Sequence, residues 1–138
     1  MPSDEDAFHE LCGDTLTRGD AAFIHQHVVD ARAAQRADED TKPITLTFAL
    51  VGLYLHLEAG RTGKQVQRAH MDLARRKQRW PSFPLPADRG SLTAADVMAV
   101  PAGPDRDGAI EAWCASVWHA YRESHDAVAR LLRQHGLL

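Results

Sequence analysis

The longest apolar stretch of the chain is Ile44–Glu58, ITLTFALVGLYLHLE, and its apolar positions point in almost every direction around a helix. Pro43 precedes the stretch and Gly60 follows it, and these are typical start and stop signals of a helix. We therefore predict a central helix that is buried on every side. At 100° per residue, one narrow stripe of this helix contains Thr45, Ala49, Gly52 and His56. The small residues of that stripe would let a neighbouring backbone approach closely.

Apolar residues at three- and four-residue spacing predict further helices on both sides of this segment. Capping residues place their starts near Ser3, Asp20, Thr62, either Ser91 or Thr93, and Asp105, and the last helix is expected to run towards His135. Pro81, Pro84 and Pro86 impose an extended crossover between two of the helices. No segment alternates as a strand would. The predicted fold is a single all-α domain over residues 1–138, a compact bundle of five to six helices with a Pro-rich crossover.

Composition excludes several classes of protein. The chain has 138 residues, 44% of them hydrophobic and 25% charged, which is typical of a globular domain. Cys12 and Cys114 are far apart and neither belongs to a CxxC pair, so a disulfide scaffold is not expected. The N-terminus lacks the pattern of a signal peptide, and the apolar stretch is too short to span a bilayer. We expect a cytoplasmic protein without membrane contact.

Three motifs point to a known family: Phe8-His9-Glu10-Leu11, the segment His25–Ala31 together with Gln35, and the Trp-rich stretch Trp113–His125. With these motifs the chain resembles an uncharacterised bacterial family known only as a domain of unknown function. The resemblance implies a helical body with a His-rich second helix. The sequence departs from the family in two places, since it lacks an upstream CxxC pair and has Arg36-Ala37 where Gln-His-Pro is expected. The resemblance implies no activity.

The candidate chemistry lies at the histidines. His27 and Asp30 border the apolar stripe of the second predicted helix, and His56 ends the stripe of the third. If the helices pack through these stripes, the two imidazoles and the carboxylate meet near one end of the bundle, with His9 and His70 as weaker candidates. One divalent metal such as zinc would suit these ligands. However, no HxxxH, HExxH or ExxH motif occurs. Histidines that bridge buried polar groups are therefore the favoured interpretation, with no cofactor.

Two function classes remain open. The favoured one is a helical binding or interaction module whose ligand is an unknown small molecule or protein. The alternative is a metal-dependent enzyme, of hydrolase or transferase type, with a His/Asp site between the second and third helices. The segment Arg61–Arg79 holds seven Arg and Lys residues, but with a net charge of −3 an exposed helix face is favoured over a nucleic-acid partner. The Trp-rich last helix makes a homodimer a further hypothesis.

Overall fold

In the computed structural model, which describes residues 3–76 and 78–138, the central apolar stretch forms α3, Pro43–Leu57. Three helices precede or follow it closely: α1 Asp4–Arg18, α2 His25–Arg36 and α4 Gly63–Ala74. The second half contains α5 Ala94–Met98, α6 Pro104–Ala120 and α7 His125–Gln134, with a short 3-10 turn at Arg122–Ser124 between the last two. The described residues include no strand, so the all-α prediction is confirmed. None of their helices is long and apolar enough to cross a membrane.

Helix α3 packs against four others, α2, α4, α6 and α7, and supplies much of the hydrophobic core. Leu50, Val51 and Leu53 are completely buried. The prediction that this helix is buried on every side was too strong, because Thr45 is exposed and Phe48 and Tyr54 are only half-buried. These more accessible positions mark the edges at which α3 lies open between its neighbours.

The predicted count of five to six helices was wrong, since the described chain has seven. The long last helix divides after Ala120, where Tyr121 leaves helical geometry and its hydroxyl donates a hydrogen bond of 2.6 Å to the Ala34 carbonyl. His125 stacks on Trp118 across the turn, with ring centroids 3.7 Å apart. This turn directs α7 back onto α3. The sequence did not reveal the break because no Gly or Pro marks it and apolar spacing continues on both sides.

The loop between α1 and α2 contains two residues with positive φ angles, Gly19 and Phe23. Helix α1 runs through Gly13 and ends at Arg18, where Gly19 adopts a left-handed conformation with φ +62°. Helix α2 starts at His25 because Phe23 has a φ of +58° and forms a turn. The Asp20 carboxylate accepts a hydrogen bond of 3.0 Å from the Ile24 amide within this turn. The predicted cap therefore stabilises the loop before α2 and not the first turn of the helix.

The Pro-rich crossover is extended, as predicted, and crosses the bundle between α4 and α5. Phe83 is buried in the core, and the edge of Trp80 packs against the Phe48 ring at a centroid distance of 5.2 Å. The Arg89 guanidinium, which follows the crossover, donates hydrogen bonds to the Gln35 and Ala37 carbonyls at the end of α2. These contacts hold the crossover over α2 and α3, and α2 and α3 together build the site described next.

Candidate functional site

Helices α2 and α3 meet at Gly52, where the Asp30 side chain fills the space that a Cβ would occupy. A Cβ built on Gly52 would lie 2.5 Å from the Asp30 Cγ and would overlap the carboxylate. The predicted close contact at Gly52 is therefore confirmed, although the approaching group is a side chain and not the expected backbone. Asp30 is only 3% exposed. Glycine at position 52 thus allows a carboxyl group to lie inside the helix interface.

One helical turn away from this contact, the His27 and His56 rings stack face to face. Their centroids are 3.6 Å apart and the ring planes differ by 17°. The sequence prediction that the two imidazoles meet is confirmed. His56 Nε2 lies 4.0 Å from the carboxylate of the exposed Glu111 on α6, and His27 Nδ1 is buried without a hydrogen-bond partner in the described part of the chain. Neighbouring His25 points to α1, where its Nδ1 is 3.0 Å from the Thr15 hydroxyl.

Burial favours the neutral forms of His27 and Asp30, the two α2 residues of this site. Desolvation, followed by the proximity of His56, lowers the pKa of His27 from 6.5 to about 4. Desolvation also raises the pKa of Asp30 well above its usual value, and the hydrogen bond from Gln26 opposes this shift. The pKa of His56 is likewise lowered by burial. Near neutral pH the interface therefore contains a neutral His27 imidazole, beside a carboxyl group whose charged form burial disfavours.

These shifts predict how stability depends on pH. Because the folded pKa of His27 is lower than the unfolded pKa, neutral His27 supports the fold above pH 6.5, and this support is lost as the pH falls towards 4. Asp30 acts in the opposite direction, since its raised pKa favours the fold at low pH. Between pH 6.5 and pH 4, the free energy of unfolding should decrease less for His27→Asn than for the wild type. The difference between the two decreases should be on the order of 2 kcal/mol. Urea denaturation at several pH values measures the difference.

The matched control is His119→Asn on the exposed face of α6, which should follow the wild-type pH dependence. Equal slopes for the wild type and His27→Asn would contradict the assignment of the acid-sensitive group.

A hydrogen-bonded chain connects Asp30 to α4. Gln26 Nε2 donates to Asp30 Oδ1 at 3.1 Å and to His70 Nδ1 at 3.5 Å. His70 Nε2 in turn donates to the Phe48 carbonyl at 2.7 Å, and the His70 ring stacks on the Phe48 ring with centroids 5.1 Å apart. The second carboxyl oxygen, Asp30 Oδ2, is buried and has no partner within residues 3–76 and 78–138. Three helices thus converge on one carboxyl group that is only half satisfied.

Above this network lies an open groove of about 350 Å³ between α2, α3 and α4, called here the Asp30 groove. Its walls are mainly apolar. Its polar lining residues are Gln26, Asp30 and His70 of the hydrogen-bonded chain, together with Thr45. The complete lining consists of Gln26, Val29, Asp30, Ala33, Ile44, Thr45, Phe48, Ala49 and His70. An apolar groove with a few converging polar groups and a carboxyl of perturbed pKa is the usual form of a small-molecule site.

Sequence reasoning identified Asp30, and His70 as a weaker candidate, but missed Gln26 as the residue that connects them. Gln26 lies four residues before Asp30 on one helix, and this spacing allows a side-chain hydrogen bond. That signal was present in the sequence. The contact of His70 with Gln26 was not, because it depends on how α4 packs against α2.

The remaining predicted metal ligand, His9, lies outside this site. His9 is exposed on α1, with its Nε2 3.8 Å from the Glu5 carboxylate. Cys114 is buried in α6, where its thiol is 3.6 Å from the His27 carbonyl, and burial raises its pKa. Burial also raises the pKa of Cys12. Both thiols are therefore protonated near neutral pH, which does not suit nucleophilic catalysis.

The fold and the groove place this chain among the small helical-bundle proteins, which is a broad class. Comparison with known families identifies the family within that class. Residues 4–122 match the profile of a family of unknown function, DUF5946. The match covers α1 to α6, including the complete Asp30 groove. The chain belongs to this family. It matches no curated protein and no solved structure.

Proposed function

We propose that this protein is a binding module that holds a small organic molecule in the Asp30 groove. The observation that carries the proposal is the Asp30 groove itself, an open and mainly apolar groove of about 350 Å³ in whose lining the Gln26 and His70 side chains are already oriented by hydrogen bonds. The oxygen of Asp30 that has no partner in the described residues lies against Gly52 inside the α2–α3 interface and is not open to the groove. A ligand would therefore contact the apolar walls and the partly buried side chains of Gln26 and His70.

Another groove of the same volume lies between α4 and the C-terminal residues, but its chemistry is less specific. Its polar lining consists of Asp72 and the exposed side chains Arg61, Gln65 and Arg68. Solvated side chains of this kind are common on protein surfaces and are satisfied by water. The Asp30 groove is favoured because Asp30 is buried, and the partly buried Gln26 and His70 side chains are already oriented by hydrogen bonds.

Binding in the groove is tested by filling it. In a fluorescence-monitored melting screen with a small-molecule library, we expect ligands that raise the melting temperature of the wild type and not that of Ala33→Phe. Ala33 lines the groove and is only partly buried, so its replacement blocks the groove without disturbing the core. Ala115→Phe, at an exposed position of α6, is the matched control and should respond as the wild type does. Ligands that stabilise all three proteins equally would contradict the proposal.

The metal-dependent enzyme is the second candidate, and the unpartnered His27 Nδ1 is the observation in its favour. The arrangement does not fit a metal centre well. Imidazole nitrogens bind a metal through lone pairs in the ring plane, and two rings stacked 3.6 Å apart direct these lone pairs along nearly parallel planes. In the described part of the chain, no three His, Cys, Asp or Glu residues are grouped so that they could hold a metal ion.

Metal analysis of the purified protein distinguishes the two candidates. We expect zinc, iron and nickel far below one ion per chain, and no effect of a chelator on the melting temperature. One ion per chain, lost in both His27→Asn and His56→Asn, would favour the enzyme over the binding module.

A further inference from the structure

The N–H groups that line the Asp30 groove are already paired within the protein. The Phe48 carbonyl can only accept, so His70 Nε2, 2.7 Å away, carries the ring proton and Nδ1 is left to accept from Gln26. The Gln26 amide uses one N–H for this contact and the other for Asp30 Oδ1. The second Asp30 oxygen lies against Gly52, inside the α2–α3 interface. A ligand in the groove therefore gains no hydrogen bond from the N–H groups of Gln26 and His70.

The described lining of the groove also carries no fixed charge. Among the described residues that line it there is no arginine or lysine, and its ionisable side chains are those of Asp30 and His70. Burial raises the pKa of Asp30 and lowers the pKa of His70, so the charged form of each is disfavoured. A charged ligand would lose hydration here without meeting an opposite charge, which is unfavourable. The groove therefore discriminates against ammonium and carboxylate groups alike.

The groove leaves apolar surface in contact with water. Val29 is 36% exposed, and the large hydrophobic side chains of Ile44 and Phe48 are only half-buried. Covering such surface lowers the free energy roughly in proportion to the area removed from water. Thr45 is exposed in the same lining, and its hydroxyl can both donate and accept a hydrogen bond. A complementary ligand thus combines a hydrocarbon body with one neutral polar group near Thr45.

From these three features we infer that the Asp30 groove binds an uncharged molecule that has a hydrocarbon body and one neutral polar group, such as a hydroxyl, beside Thr45. This inference rests on the proposed function, because it names the ligand class of the same groove. The hydrocarbon body lies against Val29, Ile44 and the Phe48 ring. The hydrogen bonds between Gln26 and His70 stay intact when the ligand binds.

Three probes with the same phenyl body test the ligand class: phenethyl alcohol, phenethylamine and hydrocinnamate, which are neutral, cationic and anionic near neutral pH. We expect NMR titration of the wild type to give an affinity for the alcohol about tenfold higher than for either charged probe. Ala33→Phe, which blocks the groove, should lose the alcohol.

Thr45→Lys supplies the positive charge that the groove lacks. Because lysine gives a carboxylate an ion-pair partner, hydrocinnamate should bind this variant about tenfold more tightly than it binds the wild type. The affinity for the alcohol should change by less than about threefold. Thr17→Lys is the matched control, since Thr17 is an exposed threonine of α1 outside the groove, and it should bind all three probes as the wild type does.

The outcomes separate the ligand class from the groove itself. If the amine or the anion binds the wild type as tightly as the alcohol, or if the library compounds that Ala33→Phe excludes are mainly charged, the inference is wrong and the proposed function stands. The same holds if Thr45→Lys gains no more affinity for hydrocinnamate than Thr17→Lys does. If Ala33→Phe binds the alcohol as well as the wild type does, the groove is not the site and both fail.

Discussion

Gly52→Leu is expected to lower the free energy of unfolding by about 2–4 kcal/mol, because the new side chain must occupy space that the Asp30 carboxyl group already fills. Glycine inside a helix is normally about 1 kcal/mol less stable than alanine, so replacing it should otherwise be favourable. The sign of the change in the free energy of unfolding therefore shows whether steric conflict or helix propensity dominates. Chemical denaturation of the two proteins gives the value.

Gly108→Leu is the matched control, since Gly108 lies in α6 and a Cβ there would meet no atom within 4 Å. It should be as stable as the wild type or slightly more stable. A double variant, Gly52→Ala with Asp30→Ala, should be more stable than Gly52→Ala alone, because the clashing carboxyl group is removed. Equal stability of Gly52→Leu and the wild type would mean that α2 and α3 do not meet as described.

The second large effect is expected for Gln35→Leu. Gln35 Oε1 accepts a hydrogen bond of 3.0 Å from the indole of the fully buried Trp113, and its Nε2 donates to the Leu92 carbonyl at 2.7 Å. Leucine would leave both of these groups unpaired in the interior. We expect a loss of about 2–4 kcal/mol in the free energy of unfolding.

Gln134→Leu, at an exposed position of α7, controls for the change from amide to hydrocarbon and should alter stability by less than about 0.5 kcal/mol. In a Trp113→Phe background, which lacks the indole N–H, Gln35→Leu should cost less than in the wild type. Additive effects of the two substitutions would show that the Gln35–Trp113 hydrogen bond does not contribute to stability.

Local patterns predicted much of this fold because they depend on neighbouring residues. The apolar run of α3 and its flanking Pro43 and Gly60 determined that helix almost to the residue. The capping box of Thr62 and Gln65 at the start of α4 is also present. Helix periodicity also predicted that His27 and His56 lie close together, given that the apolar stripe of α2 packs on the small-residue stripe of α3.

The features that the sequence did not reveal depend on contacts between distant segments. The turn after Tyr121 is fixed by a hydrogen bond to α2, and no local signal accompanies it. In the sequence Gln35 was only part of a motif, whereas in the structure its side chain bonds to the loop before α5 and to the Trp113 indole. The Asp30 groove could not be predicted because it depends on how three helices, α2, α3 and α4, pack against one another.

The most direct test of the Asp30 groove as the binding site is a map of where ligands bind. Amide chemical-shift changes, recorded by heteronuclear NMR during titration with the best library compounds, should concentrate in the residues 26–33, 44–49 and 70, which surround the groove. Shifts concentrated instead around Arg61, Arg68 and Leu137 would place the ligand in the other groove and contradict the account.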